Sequence, residues 1–113
     1  MAVRKGDLLQ GTLDLLVLKV LGAGPNHGYG ITARLHQLSD DVLRVEEGSL
    51  YPALHRLEKR GWLSSEWGIS EANHRAKYYQ LTAAGKAQLS RERDKWSQLV
   101  DVIGKIMNPA ASE

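Results

Sequence analysis

The sequence predicts a mainly α fold with a small β-hairpin, and three observations carry that prediction. Apolar residues recur at helical spacing in four separate stretches, two strand-like runs lie between the third and fourth, and Gly or Pro punctuates the joins. At 113 residues there is room for one hydrophobic core and not for two. The expected division is 1–81 for the globular part and 82–113 for a C-terminal helix and tail, within one compact domain overall.

The first helix is announced by Leu13, Leu16, Val17, Val20 and Leu21, the i, i+3, i+4, i+7, i+8 stripe of a core-facing helix, with Thr12 as its expected N-cap. Gly22, Gly24 and Pro25 should stop it. A second, shorter helix is expected from Asn26 or His27 to about Asp40, burying Ile31, Leu35 and Leu38 and turning Arg34, His36 and Gln37 outward. The acidic stretch from Asp40 to Gly48 leaves room for a turn or a short strand.

The third helix should run from about Ser49 to Arg60, anchored by Leu50, Leu54 and Leu57 and ended by Gly61. With Ser49 as N-cap, Pro52 falls in the first turn, where a missing N–H costs nothing. At about 100° per residue, Tyr51, Pro52, His55, Arg56 and Lys59 spread over the face away from the leucines.

Leu63, Ser65 and Trp67 then alternate with Ser64 and Glu66, and Ala76 to Leu81 makes a second strand-like run, together a hairpin signature. The polar stretch between them, Gly68 to Arg75, is longer than a tight turn, as in a protruding ribbon. Trp62 and Trp67 are expected to pack at its base. Thr82 caps a long helix whose Leu89, Trp96, Leu99, Ile103 and Ile106 fall near a seven-residue repeat, with Glu92 interrupting it. Such a stripe asks for a partner: it can pack on its own domain, but it extends past one small core, which favours a second copy of the chain. The tail from Asn108 should fray.

Composition removes several classes of function. The absence of cysteine excludes a disulfide scaffold, a thiolate metal site and a cysteine nucleophile. His27, His36, His55 and His74 have no metal-ligand spacing, so neither metal nor cofactor is expected. Ser49 and His55 would lie about 240° apart around one helix and cannot act as nucleophile and base. With no paired carboxylates or phosphate loop either, an enzyme is not expected. The amino terminus shows no secretory cleavage site or membrane span, which makes the cytoplasm the expected location.

The net charge is +2, and between Gly48 and Tyr79 the basic residues Arg56, Lys59, Arg60, Arg75 and Lys77 outnumber Glu58, Glu66 and Glu71. Charge alone favours a solvated helix face over a polyanion-binding one. The element order shifts that balance. Three helices, a hairpin and a fourth helix make the order of a winged helix-turn-helix domain, whose third helix enters the DNA major groove and whose hairpin is the wing.

Four stretches carry a resemblance over nearly the whole chain: Leu9-Gln10-Gly11-Thr12-Leu13 before the first helix, His27-Gly28-Tyr29-Gly30-Ile31 opening the second, Gly48-Ser49-Leu50-Tyr51-Pro52-Ala53-Leu54 with Arg56-Leu57-Glu58 in the third, and Lys77-Tyr78-Tyr79 with Leu81-Thr82-Ala83-Ala84-Gly85 closing the wing. In these the sequence resembles the PadR-like transcriptional regulators, in their short form with a single C-terminal helix. The resemblance implies a non-catalytic DNA-binding homodimer, usually a repressor, paired through that helix. Carried onto this sequence, it implies that Tyr51 and Pro52 face bases, that Ser49, His55, Arg56 and Lys59 reach base edges or phosphates, and that Arg75 and Lys77 serve the wing. Tyr29 matches a tyrosine close to the DNA backbone, although a packed ring in the second helix is an equal reading. Gly30 departs from the family, which commonly carries a longer polar residue there.

Leu89, Trp96, Leu99, Ile103 and Ile106 are then the expected dimerisation residues. Trp96 has two readings, interface packing or contact with a small, flat hydrophobic effector, and packing is the commoner role of such a stripe. The expected function is therefore a sequence-specific regulator whose partners are a double-stranded operator and its own second copy. The rival is a winged-helix module that binds only protein, since fold alone does not fix function.

Overall fold

The computed structural model describes residues 10–109 as helix α1 (Gln10–Leu21), strand β1 (Asn26–His27), helices α2 (Gly28–Leu38) and α3 (Glu47–Lys59), strands β2 (Leu63–Ile69) and β3 (Arg75–Leu81), and helix α4 (Ala83–Met107). The mainly α fold with its hairpin is borne out, with one strand more than the sequence suggested. The antiparallel sheet runs β1-β3-β2, and β1 pairs Asn26 with Tyr79 and His27 with Tyr78.

Helix α1 lies at the centre. Leu13, Val17, Val20 and Leu21 of its expected stripe are buried, and so is Leu18 beside the stripe, because α2, α3 and α4 all pack around this helix. Ile31 and Leu35 of α2, Leu50, Ala53, Leu54 and Leu57 of α3, and Leu63 and Tyr79 of the hairpin complete the core. Each fully buried leucine contributes about 1.5–3 kcal/mol by leaving water. Leu38 does not join them and is 52% exposed. Helix α2 ends there, and the chain turns away through Asp40 and Asp41, both at positive φ.

The helix starts differ from the sequence reading. Gln10, the first described residue, is already helical, so Thr12 lies inside α1 rather than at its cap, and the Gln10-Gly11-Thr12-Leu13 motif is helical; Leu9 lies outside the described residues. Helix α3 begins at Glu47, after Glu46, so Ser49 is not its N-cap and Pro52 sits in the second turn. The Glu47 carboxylate at the positive end of the helix dipole favours this earlier start. The missing N–H of Pro52 leaves the Gly48 carbonyl without its helical donor, but both residues are exposed and water can serve instead.

The joins follow local chemistry. Gly61, at φ 81°, ends α3 as expected: its N–H donates to the Glu58 carbonyl at 3.0 Å and the Trp62 N–H to that of Leu57 at 3.0 Å. Thr82 caps α4 as expected, its Oγ1 accepting from the Gly85 N–H at 3.0 Å. Gly85 is pressed so closely on Trp62 that a Cβ there would meet the Trp62 carbonyl oxygen at 2.0 Å. This close approach sets how α4 docks.

Candidate nucleic-acid interface

Helix α3 presents two unlike faces. Leu50, Ala53, Leu54 and Leu57 are buried, whereas Tyr51, Pro52, His55 and Lys59 are exposed and Ser49 is half-buried. Arg56, expected on the same outer face, turns toward α1 instead and donates to the Asp14 carboxylate at 2.9 Å.

The N-terminus of α2 meets that face. His27 caps the helix, its Nδ1 accepting from the Gly30 N–H at 3.0 Å, which leaves the ring proton on Nε2. That Nε2 lies 3.7 Å from Glu71 in the turn between β2 and β3, and the ring stands edge-on to Tyr78. Gly28 is buried directly beneath Tyr51: a Cβ at residue 28 would lie 2.8 Å from the Tyr51 hydroxyl oxygen. Tyr29 projects beside it, 71% exposed, so its ring is not packed in the helix. The place of a side chain at residue 30 is filled by Asn26, whose Oδ1 would stand 1.9 Å from a Cβ there.

The hairpin closes the third side. Its turn is Ser70–His74, shorter than expected because Gly68, Ile69 and Arg75 belong to the strands. Trp67 pairs with Lys77 and Ile69 with Arg75, so these four share one face, and the inner end of that face runs into buried Tyr79. Trp67 is 59% exposed rather than packed at the base, with the Arg75 guanidinium 4.5 Å from its ring centroid. Trp62, by contrast, does pack against the core. The Lys77 ammonium turns back to within 3.9 Å of the Glu58 carboxylate, which also accepts from the Ser65 hydroxyl.

Tyr29, Tyr51, Trp67, Arg75 and Lys77 thus line one crevice of about 310 Å³ between wing and helices. Tyr79 forms its floor, and burial, reinforced by the Glu58 carboxylate and then Tyr51, pushes its phenol above the ordinary value. The crevice is aromatic and basic. It can hold an anion by charge and a flat or sugar surface by contact.

Sequence reasoning missed Trp67, His27 and Asp14. The two-residue period that places Trp67 on the face of Arg75 and Lys77 was the available signal for the first. The Asp14–Arg56 pair spans 42 positions and had none.

Helix α4 leaves a second surface. Leu89 packs against the core, but Trp96, Leu99, Ile103 and Ile106 are all about half exposed or more, and Val100, Val102 and Met107 widen the apolar area. Beside Trp96, a hollow of about 550 Å³ opens between α4 and the start of α1, lined by Gly11, Thr12, Leu15, Leu99 and Val102 among others. Among the described residues, no group of three or more His, Asp or Glu could hold a metal, and no helix is long and apolar enough to cross a membrane.

Comparison with known proteins agrees with this architecture. Transcriptional regulator Rv3488 of Mycobacterium tuberculosis is 39% identical over 79 residues, covering 69% of this chain and 70% of that protein. The solved structure of a transcriptional regulator from Clostridium thermocellum superposes with a TM-score of 0.77 at 31% identity, covering 85% of this chain and 93% of that one. A PadR family transcriptional regulator from Eggerthella lenta gives 0.71 at 36% identity, covering 87% and 83%. Residues 17–91 match the Transcriptional regulator PadR-like family. The match spans well over half the sequence, and the chain belongs to the PadR-like family of transcriptional regulators.

Proposed function

We propose that this regulator is a sequence-specific DNA-binding repressor that acts in the cytoplasm as a homodimer, with α3 in the major groove and the β2–β3 wing on the phosphate backbone. The observation that carries the reading is the two-faced α3, buried through its leucines and presenting Tyr51, Pro52, His55 and Lys59 outward beside the crevice. A protein-docking version of the fold would offer an apolar patch there. This face offers hydroxyl, imidazole and ammonium groups, which suit base edges and phosphates.

In this reading Tyr51 and Pro52 approach bases, Ser49, His55 and Lys59 reach base edges or phosphates, Tyr29 and Arg75 hold the backbone, and Lys77 joins them on leaving Glu58. Arg56 is assigned to the scaffold, since Asp14 already engages its guanidinium. Pairing through Trp96, Leu99, Ile103 and Ile106 would cover the open face of α4 and set two recognition helices about 34 Å apart, one turn of DNA. The hollow beside Trp96 suits a small hydrophobic effector, with Glu92 and Lys95 also lining it.

The test is selection of duplexes from a random-sequence pool by the purified protein, followed by binding titrations over a range of salt. A shared two-fold symmetric sequence, bound with an affinity that falls steeply with salt, is the expected result. Failure to enrich any sequence would remove the reading. Repression is tested by placing the selected sequence in a promoter and transcribing it with and without the protein.

A further inference from the structure

We propose that Trp67 is a positioning residue for DNA binding, its indole presetting the Arg75 guanidinium so that the edge of that group meets a phosphate. The inference rests on the DNA-binding reading above and goes beyond it in assigning a role to an aromatic residue on the wing. Arg75 is the first residue of β3, next to the Ser70–His74 turn, where the ribbon has no core beneath it. An arginine there samples many rotamers, and collecting them on binding opposes affinity.

The stack on Trp67 removes much of that cost beforehand. With its central carbon 4.5 Å from the ring centroid, the guanidinium is held over the indole while its N–H donors remain available to another partner. Among the described residues, no carboxylate forms an ion pair with Arg75, whereas Lys77 is drawn back to Glu58 and Arg56 to Asp14. Arg75 is therefore the wing cation that is both oriented and uncommitted. The strand register explains how Trp67 reaches it: Trp67 sits opposite Lys77 on the same face, and Arg75 is the diagonal neighbour. A tryptophan 59% exposed on a ribbon face gains little for the fold, which leaves its hold on Arg75 as its evident contribution.

The experiment is a double-mutant cycle read by fluorescence anisotropy, using a labelled duplex enriched by the wild-type protein. Trp67→Leu is expected to weaken binding by about two- to fivefold, the fold-change equivalent of one exposed cation–π contact. It should leave the salt slope unchanged, because Arg75 still reaches its phosphate. Arg75→Ala should flatten the slope by roughly one contact. In the Arg75→Ala background Trp67→Leu is expected to cost nothing more, and Trp67→Phe, which keeps a ring face, should restore most of the affinity. An equal loss from Trp67→Leu with and without Arg75, or no loss at all, would overturn the proposal. Should leucine disturb the ribbon, the cycle is repeated with Trp67→Thr, which suits a strand. If the wild-type protein enriches no duplex, the DNA-binding reading itself has failed, an outcome distinct from an additive cycle on a bound duplex.

Discussion

The Arg56 guanidinium donates to the Asp14 carboxylate at 2.9 Å, fastening α3 to α1 across 42 positions of sequence. The carboxylate is nearly buried, while the guanidinium keeps over a quarter of its side chain in water, so the contact contributes less than a fully buried pair. Asp14→Ala, which leaves a half-buried cation without its partner, is expected to destabilise the fold by about 1–2 kcal/mol, read as a lower midpoint in urea. Lys59→Ala, on the exposed face, should change stability by less than about 0.5 kcal/mol while weakening DNA binding. A midpoint indifferent to Asp14→Ala would return Arg56 to the set of groups free to meet DNA.

Gly28 and Tyr51 make the next prediction. Adding a methyl group at Gly28 forces the Tyr51 ring aside, and because the obstacle is the far end of a flexible side chain the fold can yield. Gly28→Ala should therefore melt near the wild-type temperature yet bind its duplex roughly tenfold more weakly, on the order of one lost base contact. Tyr51→Ala should lose a similar factor, and combining the two should add little. Independent losses would separate Gly28 from Tyr51.

At Gly85 the obstacle is backbone, and the expected outcome reverses. A methyl group would strike the Trp62 carbonyl, which is also the acceptor for the Thr82 N–H at 3.0 Å. Gly85→Ala is expected to destabilise by about 1–3 kcal/mol through overpacking, despite alanine's better helix propensity. Thermal melting beside Gly104→Ala, where a Cβ meets nothing within 4 Å, gives the comparison.

The raised Tyr79 pKa sets a pH dependence at the alkaline end. The folded phenol holds its proton beyond the point, near pH 10, at which the unfolded one releases it. The contribution of this group to stability is thus fully present below about pH 10 and is lost as pH rises through the folded pKa. Tyr79→Phe should flatten the denaturation midpoint above pH 10. An equally steep decline in that variant would assign the effect to other groups.

The apolar face of α4 gives a prediction about assembly. Leu99→Glu with Ile103→Glu should place charges in the middle of the proposed dimer contact, leaving the core untouched because both positions are about half exposed. Sedimentation should then find a monomer that melts with an intact globular part, and operator affinity should fall steeply as the two half-sites cease to be bound together. A dimer that survives both substitutions would move the interface elsewhere.

What the sequence disclosed, it disclosed through periodicity and punctuation. Leucine spacing placed α3, Thr82 marked the start of α4, and Gly61 marked the end of α3, because each acts on neighbours within a few positions. Thr12 and Ser49 misled for a related reason: a residue that suits a cap does not become one when the preceding residues can also take helical conformation. The pairing of β1 with β3 was hidden, since Asn26 and His27 have no marked strand preference and their partners lie some fifty positions away. In the candidate site, exposure of Tyr51, His55 and Lys59 followed from helical sidedness, but the partner that draws Arg56 away belongs to another helix and leaves no local trace.

The seat of Gly85 on Trp62 acts like the pivot of a long lever. From Gly85 to Met107, α4 extends about 33 Å at 1.5 Å per residue, so a tilt of about 10° at the pivot swings the far end by about 6 Å. In a symmetric pair joined along this helix, such a swing would alter the gauge between the two reading heads without touching either one. On the proposed pairing, the close seat of residue 85 on Trp62 would thereby help to set the distance between the two recognition helices.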